Sequence, residues 1–174
     1  PFLLVLFWNL QEDLFYAGYS EFFRDFKPVF KLFSRIVISV ESDNFDSRLA
    51  TQFLGTIEVI HASDLPKLVQ RPSVIVPFNH QLFHKAHGMF NDLNNTVYYC
   101  QDFEAGFFPY SADYVMAERS IANSRNLIIS TNLLRRFFDS KGLLTDAANI
   151  YVTGPRIELI DVQNNKSKKL FFYF

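Results

Sequence analysis

The sequence predicts an α/β fold of the Rossmann-like, doubly wound type, with a parallel sheet covered by helices on both faces. Short apolar runs alternate with helical patterns about six times along the chain. The runs are continuous and rich in valine, isoleucine, leucine and phenylalanine, which is typical of parallel strands because both of their faces are buried. In such sheets ligands bind beyond the carboxyl ends of the strands, so the residues that follow each strand are the candidates for chemistry.

The composition predicts one globular domain and argues against nucleic-acid binding. The 174 residues suffice for a single domain with a sizeable core, here taken as 1–174. The 21 phenylalanines indicate a phenylalanine-rich core. The alternative is that some of them form an apolar surface that a further domain covers. A net charge of −1 lacks the basic footprint of a nucleic-acid-binding protein. The single cysteine, Cys100, excludes an intrachain disulfide and favours a reducing compartment.

Six apolar segments predict the strands. They are short and contain many β-branched or aromatic residues. In chain order they are Phe2–Phe7, Arg35–Val40, Thr56–Ile60, Ser73–Phe78, Thr96–Gln101 and Asn126–Ser130. Ile150–Val152 and Leu170–Phe174 are later strand candidates.

Helical patterns occupy the intervals between these strands. They cover Gly18–Phe33, Asp46–Leu54, Ser63–Gln70, His80–Phe90, Ser111–Asn123 and a last helix that begins after Thr131. Pro28 is expected to kink or split the first of them. Ser63, Ser111 and Thr131 are expected N-caps. In the last helix four apolar residues are expected to face inward, namely Leu133, Leu134, Phe137 and Phe138. Gly142 follows this helix, where a left-handed residue commonly ends one.

The turn after the first strand argues against a dinucleotide cofactor. The dinucleotide fingerprint needs three glycines there, and this chain has only Gly18, in Ala17-Gly18-Tyr19. A single glycine either brings the backbone close to a ligand or eases a tight turn. No cofactor is therefore expected.

Asn79 and His80 end the fourth strand and are candidate substrate-binding residues. A histidine at that position is suited to orient a hydroxyl group or to act as a base. His80, His84 and His87 also share one helical face, at the spacing of a zinc site. No H-E-x-x-H motif accompanies them, so surface or cleft histidines are the favoured interpretation and no metal is expected.

The segment Gln101-Asp102-Phe103-Glu104 directly follows the fifth strand and is the most informative part of the sequence. Two carboxylates at the carboxyl end of a strand suit general-base or hydroxyl-binding work. Three aromatic residues follow, Phe107, Phe108 and Tyr110, as platforms for a sugar ring. The alternative is a solvated acidic loop that aromatic side chains anchor.

Glu41 and Asp43 have the same spacing after the second strand. Such a pair can hold a divalent ion beside a nucleotide diphosphate in a metal-dependent transferase. Acidic residues are common in such loops, so this motif is unspecific.

Three consecutive stretches, Val97–Glu104, Phe107–Pro109 and Ser111–Glu118, resemble the WsaF-like rhamnosyltransferases of bacterial surface-polysaccharide synthesis. The strand and helix of Asn126–Phe138 and the final run Lys168–Phe174 fit the same family. The resemblance is clearest from Ser73 to Ser140. Where the family has a Gly-Gly turn after its first strand, this chain has Ala17-Gly18.

The resemblance implies a glycosyltransferase of the GT-B type, in which two Rossmann-like domains enclose a cleft. This chain would be the N-terminal, acceptor-binding domain. A C-terminal domain of the same protein would bind a nucleotide-sugar donor such as dTDP-rhamnose, and the chain alone would be inactive. Asp102 would contact the acceptor hydroxyl or serve as base, together with Glu104. The other implied site residues are Gly18, Asn79, His80, Gln101, Phe107, Phe108 and Tyr110.

The implied partners are a glycan acceptor and the protein's own C-terminal domain. A cytoplasmic location follows, and the resemblance also allows peripheral association with the inner membrane, although the sequence contains no basic amphipathic helix. Two other functions stay open from the residues themselves. One is a glycan-binding or interaction module without catalysis, and the other is a metal-dependent transferase that uses Glu41 and Asp43.

Overall fold

The computed structural model describes residues 1–11, 17–46, 48, 57–68 and 70–154. These ranges contain the strands β1 (Phe2–Phe7), β2 (Arg35–Val40), β3 (Glu58–His61), β4 (Val74–Pro77), β5 (Val97–Cys100), β6 (Asn126–Ile129) and β7 (Asn149–Val152). They also contain the helices α1 (Ala17–Phe30), α2 (His80–Phe90), α3 (Ala112–Ala122) and α4 (Asn132–Ser140). Two short 3₁₀ helices, Ala62–Lys67 and Glu104–Phe107, complete the described elements.

The strands are all parallel, as the apolar runs predict. β3, β2, β1 and β4 form one sheet in that order, and β5, β6 and β7 form another. A bridge between Ile75 and Thr96 joins β4 to β5, and the Ile75 amide donates to the Asn95 carbonyl at 2.9 Å. The strand order reverses between β1 and β4, which is the topological switch point of a doubly wound fold.

Helices pack on both faces of the sheet. On one face α1 covers the side chains of Leu3, Val5 and Phe7. On the other face α2 covers Leu4 and Leu6. A third cluster joins α2, α3 and α4 to β5 and β6, through Phe83, Tyr98, Cys100, Ile121, Leu127, Ile129 and Phe138. The protein therefore has the predicted Rossmann-like, doubly wound architecture.

Phenylalanine dominates the core under α1, as the composition predicts. Phe22 is fully buried and its ring centroid lies 4.4 Å from that of Phe26, 5.1 Å from Phe7 and 5.2 Å from Tyr99. Edge-to-face and offset arrangements such as these add to the free energy of burial. Phe78 joins the same cluster at 4.9 Å from Phe7, so the aromatic core reaches the first residue after β4.

Two of the three predicted N-caps, Ser111 and Thr131, are present, and each forms a side-chain hydrogen bond to an amide in the first turn of its helix. The Ser111 side chain accepts from the Tyr114 amide and caps α3. The Thr131 side chain accepts from the Leu134 amide and caps α4. Gly142 has a φ of +70° after the end of α4, as expected of a left-handed residue.

Two helix predictions need correction. The helix expected over Ser63–Gln70 is a shorter 3₁₀ helix, Ala62–Lys67, and its N-cap is His61. Pro66 lies inside it and has no amide hydrogen to donate to the Ala62 carbonyl, which disfavours an α-helix over so short a segment. α1 continues through Pro28 and ends at Phe30. Pro28 therefore does not split the helix, and the predicted end at Phe33 was three residues too late. The Leu32 and Phe33 amides donate to the carbonyls of Val29 and Phe30, three residues back, so the chain forms a turn there and not a further α-helical turn.

The predicted inner face of α4 is also partly wrong. Phe138 is buried and Leu134 is half-buried, but Leu133 is 79% exposed and Phe137 is 39% exposed. Residues four apart lie above one another on a helix, so Leu134 and Phe138 form one narrow stripe against the sheet. Leu133 lies about 100° away from that stripe, and Phe137 contacts Phe103 at the border.

Most of the helix predicted over Asp46–Leu54 and the strand candidate Leu170–Phe174 lie outside the described residues. None of the described helices is both long and apolar enough to cross a membrane.

Candidate functional site

A cleft of about 350 Å³ opens at the carboxyl edge of the sheet, where the segments after β4 and β5 meet the start of α1. Its lining residues come from these three parts of the chain, and they are Gly18, Phe78, Asn79, His80, Gln81, Gln101, Asp102, Glu104, Phe107 and Phe108. The strand order brings these parts together, because β4 lies between β1 and β5. The switch point is where doubly wound folds commonly bind their ligands.

Glu104 and His80 form a closely bonded pair in the wall of this cleft. One Glu104 oxygen accepts from the His80 backbone amide at 2.9 Å and lies 2.6 Å from His80 Nδ1. The other oxygen accepts from the Tyr98 hydroxyl at 2.9 Å. Asn79 caps α2 by accepting from the Leu82 amide at 2.9 Å, which fixes the backbone at His80. Both oxygens of Glu104 are thus engaged in holding neighbouring residues.

The His80 ring has an unusual environment. It is 3% exposed, and Nε2 is buried without a hydrogen-bond partner among the described residues. An ionised carboxylate only accepts hydrogen bonds, so Nδ1 carries the hydrogen that faces Glu104. In the neutral ring, Nε2 then holds a lone pair that nothing in the described structure uses.

Burial keeps two neighbouring groups of β5 protonated. It raises the pKa of the Tyr98 hydroxyl well above its usual value, and the charge of Glu104 raises it further. Tyr98 therefore remains a donor to Glu104. Burial likewise raises the pKa of the Cys100 thiol, again with help from Glu104. A protonated, buried thiol is a poor nucleophile, so Cys100 is part of the core.

Asp102 is the carboxylate that stays open to a ligand. Its side chain is exposed, and within the described ranges it makes no hydrogen bond or ion pair. Partial desolvation by the concave wall raises its pKa, and Glu104 adds a smaller contribution. The side chain of Asp102 is nevertheless exposed to water, and a ligand can reach the carboxylate by the same path. An unpaired carboxylate in a cleft suits a contact with a hydroxyl group.

Gly18 has a role that the sequence did not predict. It is the second residue of α1, not part of a turn before the helix, and its carbonyl accepts from Gln101 Nε2 at 2.8 Å. A β-carbon at this position would lie 2.5 Å from Gln101 Oε1. Gly18 therefore permits the close approach of the Gln101 side chain, and this contact ties α1 to the segment after β5.

This contact predicts a coupling between positions 18 and 101. In the wild-type protein, Gly18→Ala displaces the Gln101 side chain and removes a hydrogen bond that contributes about 1 kcal/mol. In a Gln101→Ala background the same change meets no such side chain and gains helix propensity of up to about 1 kcal/mol. Urea unfolding of the four variants is expected to give a coupling free energy of about 1–2 kcal/mol. Additive effects would contradict the contact.

The aromatic residues differ in position. Phe107 is 67% exposed and lines the cleft, as does Phe108, whose ring packs against His80 with centroids 5.3 Å apart. Tyr110 is fully exposed, has a φ of +61° and does not line the cleft. The structure therefore does not place Tyr110 in this cleft, and its role in shaping an acceptor site stays a prediction.

The two metal sites considered from the sequence do not form among the described residues, where no group of three metal-ligating side chains is present. Lys85 Nζ lies 2.6 Å from one oxygen of Glu41 and 2.7 Å from the other. Asp43 is fully exposed and contacts His61 at 3.1 Å. His84 Nε2 lies 2.9 Å from the Met116 carbonyl, and His80 Nδ1 lies 2.6 Å from Glu104, so each ring already has a partner of its own.

Three residues of the site were missed from the sequence. Phe78 and Gln81 line the cleft, and Tyr98 holds Glu104. The strand-end rule was sufficient to find Phe78 and Gln81, since they flank Asn79 and His80. Tyr98 gave no signal, because a tyrosine in an apolar strand is most simply explained as core.

A larger cavity of about 570 Å³ lies at the opposite edge of the sheet, at the amino ends of β5, β6 and β7. Its lining contains several asparagines but no carboxylate or imidazole. Those amides bond to one another and to the backbone. Asn149 donates to Asn126 at 2.8 Å, and Asn126 donates to the Asn94 carbonyl at 2.8 Å. This cavity offers no acid or base, so the switch-point cleft is the better candidate.

Comparison with known proteins adds no relative, since no protein-family model and no curated protein matches the chain.

Proposed function

We propose that the chain is the acceptor-binding domain of a glycosyltransferase, which transfers a sugar from a nucleotide-sugar donor to a glycan. One observation carries this proposal: the exposed, unpaired carboxylate of Asp102 lies in the switch-point cleft beside the rings of Phe107 and Phe108. A sugar offers hydroxyl donors to a carboxylate and an apolar face to an aromatic ring. Clefts with a few polar groups among apolar ones are typical ligand sites.

The amino end of α2 supports a division of labour between two domains. Phosphate groups commonly bind at helix amino ends, where backbone amides are free. Here the Asn79 side chain takes the Leu82 amide and Glu104 takes the His80 amide. A nucleotide diphosphate would have to displace a carboxylate from this position. The donor nucleotide is therefore proposed to bind another domain of the same protein, as in the GT-B fold.

The resemblance to WsaF-like rhamnosyltransferases supplies the finer parts of the proposal. On this resemblance the proposed donor is dTDP-rhamnose or another nucleotide sugar, the acceptor is a surface polysaccharide, and the location is the cytoplasm, with room for peripheral association with the inner membrane. A non-catalytic glycan-binding module is the second candidate. The bonds of Glu104 favour this second candidate. Both of its oxygens are bonded to His80 and Tyr98, so Glu104 itself has a structural role in the cleft and does not contact an acceptor.

A nuclear magnetic resonance titration of the ¹⁵N-labelled chain tests the proposal. We expect a rhamnose-containing oligosaccharide to shift the amide resonances of Asp102–Phe108, and dTDP-rhamnose to shift them little. Asp102→Asn is expected to weaken oligosaccharide binding roughly tenfold, since a hydrogen bond to a charged group is lost. Asp43→Asn is the matched control, because Asp43 also follows a strand of the sheet, β2, lies outside the cleft and is fully exposed.

Two results would contradict the proposal. Tight binding of dTDP-rhamnose to this chain would place the donor site in the domain assigned to the acceptor. An equal loss of oligosaccharide binding in Asp43→Asn and Asp102→Asn would show that binding depends on net charge and not on the cleft.

A further inference from the structure

We propose that His80 is the group that takes the proton from the attacking hydroxyl, that Glu104 is its positioning residue, and that Asp102 contacts the acceptor without deprotonating it. This inference rests on the proposed function. It starts from the buried Nε2 atom of His80, for which the described structure has no hydrogen-bond partner. Buried polar atoms are rarely left in this state, so a ligand hydroxyl is the partner we infer.

The hydrogen bonds around His80 prepare it for this role. Glu104 receives hydrogen bonds from the His80 amide and from Nδ1, which fixes the position of the ring and the place of its hydrogen. The Tyr98 hydroxyl holds the other oxygen of Glu104, so the carboxylate itself cannot rotate freely. Enzymes commonly activate a hydroxyl group with a base whose side chain is held in orientation by a third group. Asp102 has no comparable partner within the described ranges.

The transfer balances with these groups. The hydroxyl oxygen of the acceptor bonds to the anomeric carbon of the donor sugar, and its hydrogen passes to Nε2 of His80. The bond between the anomeric carbon and the diphosphate oxygen breaks, and the nucleoside diphosphate leaves with the electron pair. The imidazolium that results lies 2.6 Å from the carboxylate of Glu104, which stabilises its charge.

Access to Nε2 requires a small movement. The atom is buried, so an oxygen of the ligand reaches it only when a neighbouring side chain shifts. Phe108 contacts the imidazole and also lines the cleft, which makes it the side chain we expect to move. The segment that carries it, between Phe107 and Tyr110, is exposed at both ends.

The tautomer of each histidine gives a test that needs no variant. Long-range ¹H–¹⁵N spectra of the chain labelled at histidine are expected to show the Nδ1–H form for His80. His61 and His84 are expected in the Nε2–H form. The Ser63 amide donates to His61 Nδ1 at 3.2 Å, and carbonyl oxygens lie at 3.1 Å from His61 Nε2 and 2.9 Å from His84 Nε2. An Nε2–H form of His80 would overturn the inference.

Addition of the rhamnose-containing oligosaccharide provides the second arm. We expect the Nε2 resonance of His80 to shift, while those of His61 and His84 stay in place. If the amides of Asp102–Phe108 shift and Nε2 of His80 does not, the proposed function stands and this inference falls. If neither responds, the proposed function fails, and the inference fails with it.

The kinetic test uses the full-length enzyme that the proposed function requires. In His80→Asn the side-chain amide takes the place of Nδ1 and can still donate to Glu104, but it is no base. His80→Asn is therefore expected to lower kcat by about 10²–10⁴-fold with little change in KM. Asp102→Asn is expected mainly to raise KM. A rise of KM alone in His80→Asn would overturn the assignment of the base.

Discussion

Replacement of Phe22 by alanine is expected to lower the free energy of unfolding by about 3–5 kcal/mol, the largest loss we predict for one substitution. Phe22 is fully buried, and its ring contacts those of Phe7, Phe26, Phe78 and Tyr99. Removal of the ring leaves a cavity beneath α1 that close-packed neighbours fill only in part. A domain of ordinary stability would lose a large share of its margin.

Urea unfolding, followed by far-ultraviolet circular dichroism, measures this loss. The midpoint is expected to fall while the slope with urea concentration stays unchanged. Leu133→Ala is the matched control, since Leu133 is 79% exposed and its truncation is expected to change stability by less than about 0.5 kcal/mol. Similar losses in both variants would contradict the packing of α1 against the sheet.

Replacement of Glu104 by alanine is expected to lower the free energy of unfolding by roughly 3–5 kcal/mol, although Glu104 lies in a cleft and not in the core. The change leaves three donors without their acceptor: the amide and Nδ1 of His80, and the hydroxyl of Tyr98. A donor that stays buried and unbonded costs about 1–3 kcal/mol. Glu104→Gln is expected to lose less, because an amide oxygen still accepts from His80.

Asp102→Asn is the control, and it is expected to be as stable as the wild type at neutral pH or slightly more stable. The pKa of Asp102 is raised in the folded protein, by partial desolvation and then by Glu104. A folded-state pKa above the unfolded one means that folding favours the protonated form. The free energy of unfolding of the wild type therefore decreases as pH rises through the raised pKa of Asp102. Asp102→Asn has no carboxyl group at this position and does not show this decrease.

Urea midpoints of Glu104→Ala and Asp102→Asn, each at acidic and neutral pH, separate the two carboxylates. Equal losses in both variants would contradict the division between a carboxylate that holds the cleft together and one that stays open to a ligand.

The local elements could be predicted because short-range interactions decide them. The strand Phe2–Phe7 and the helix His80–Phe90 have the predicted bounds. The Ser111 and Thr131 caps each depend on a hydrogen bond to an amide three residues along the chain. Prediction was less accurate around Pro66. The helical pattern predicted an α-helix there, but the segment that contains this proline forms a 3₁₀ helix.

The candidate site was predicted in part. The sequence alone placed Asn79, His80, Asp102 and Glu104 after buried strands, and parallel strands bring such residues to one edge. It did not indicate which carboxylate is engaged. The bond between His80 and Glu104 joins residues 24 positions apart, and the bond between Gln101 and Gly18 joins residues 83 apart.

The sequence by itself therefore determined the fold class, most elements and the edge of the sheet that carries polar side chains. The tertiary structure decided that β4 lies between β1 and β5, which places α1, α2 and the segment after β5 around one cleft. It also decided that Glu104 holds His80 while Asp102 stays exposed. The physical reason is that hydrophobic periodicity and caps act over a few residues, whereas these contacts exist only after the strands have paired.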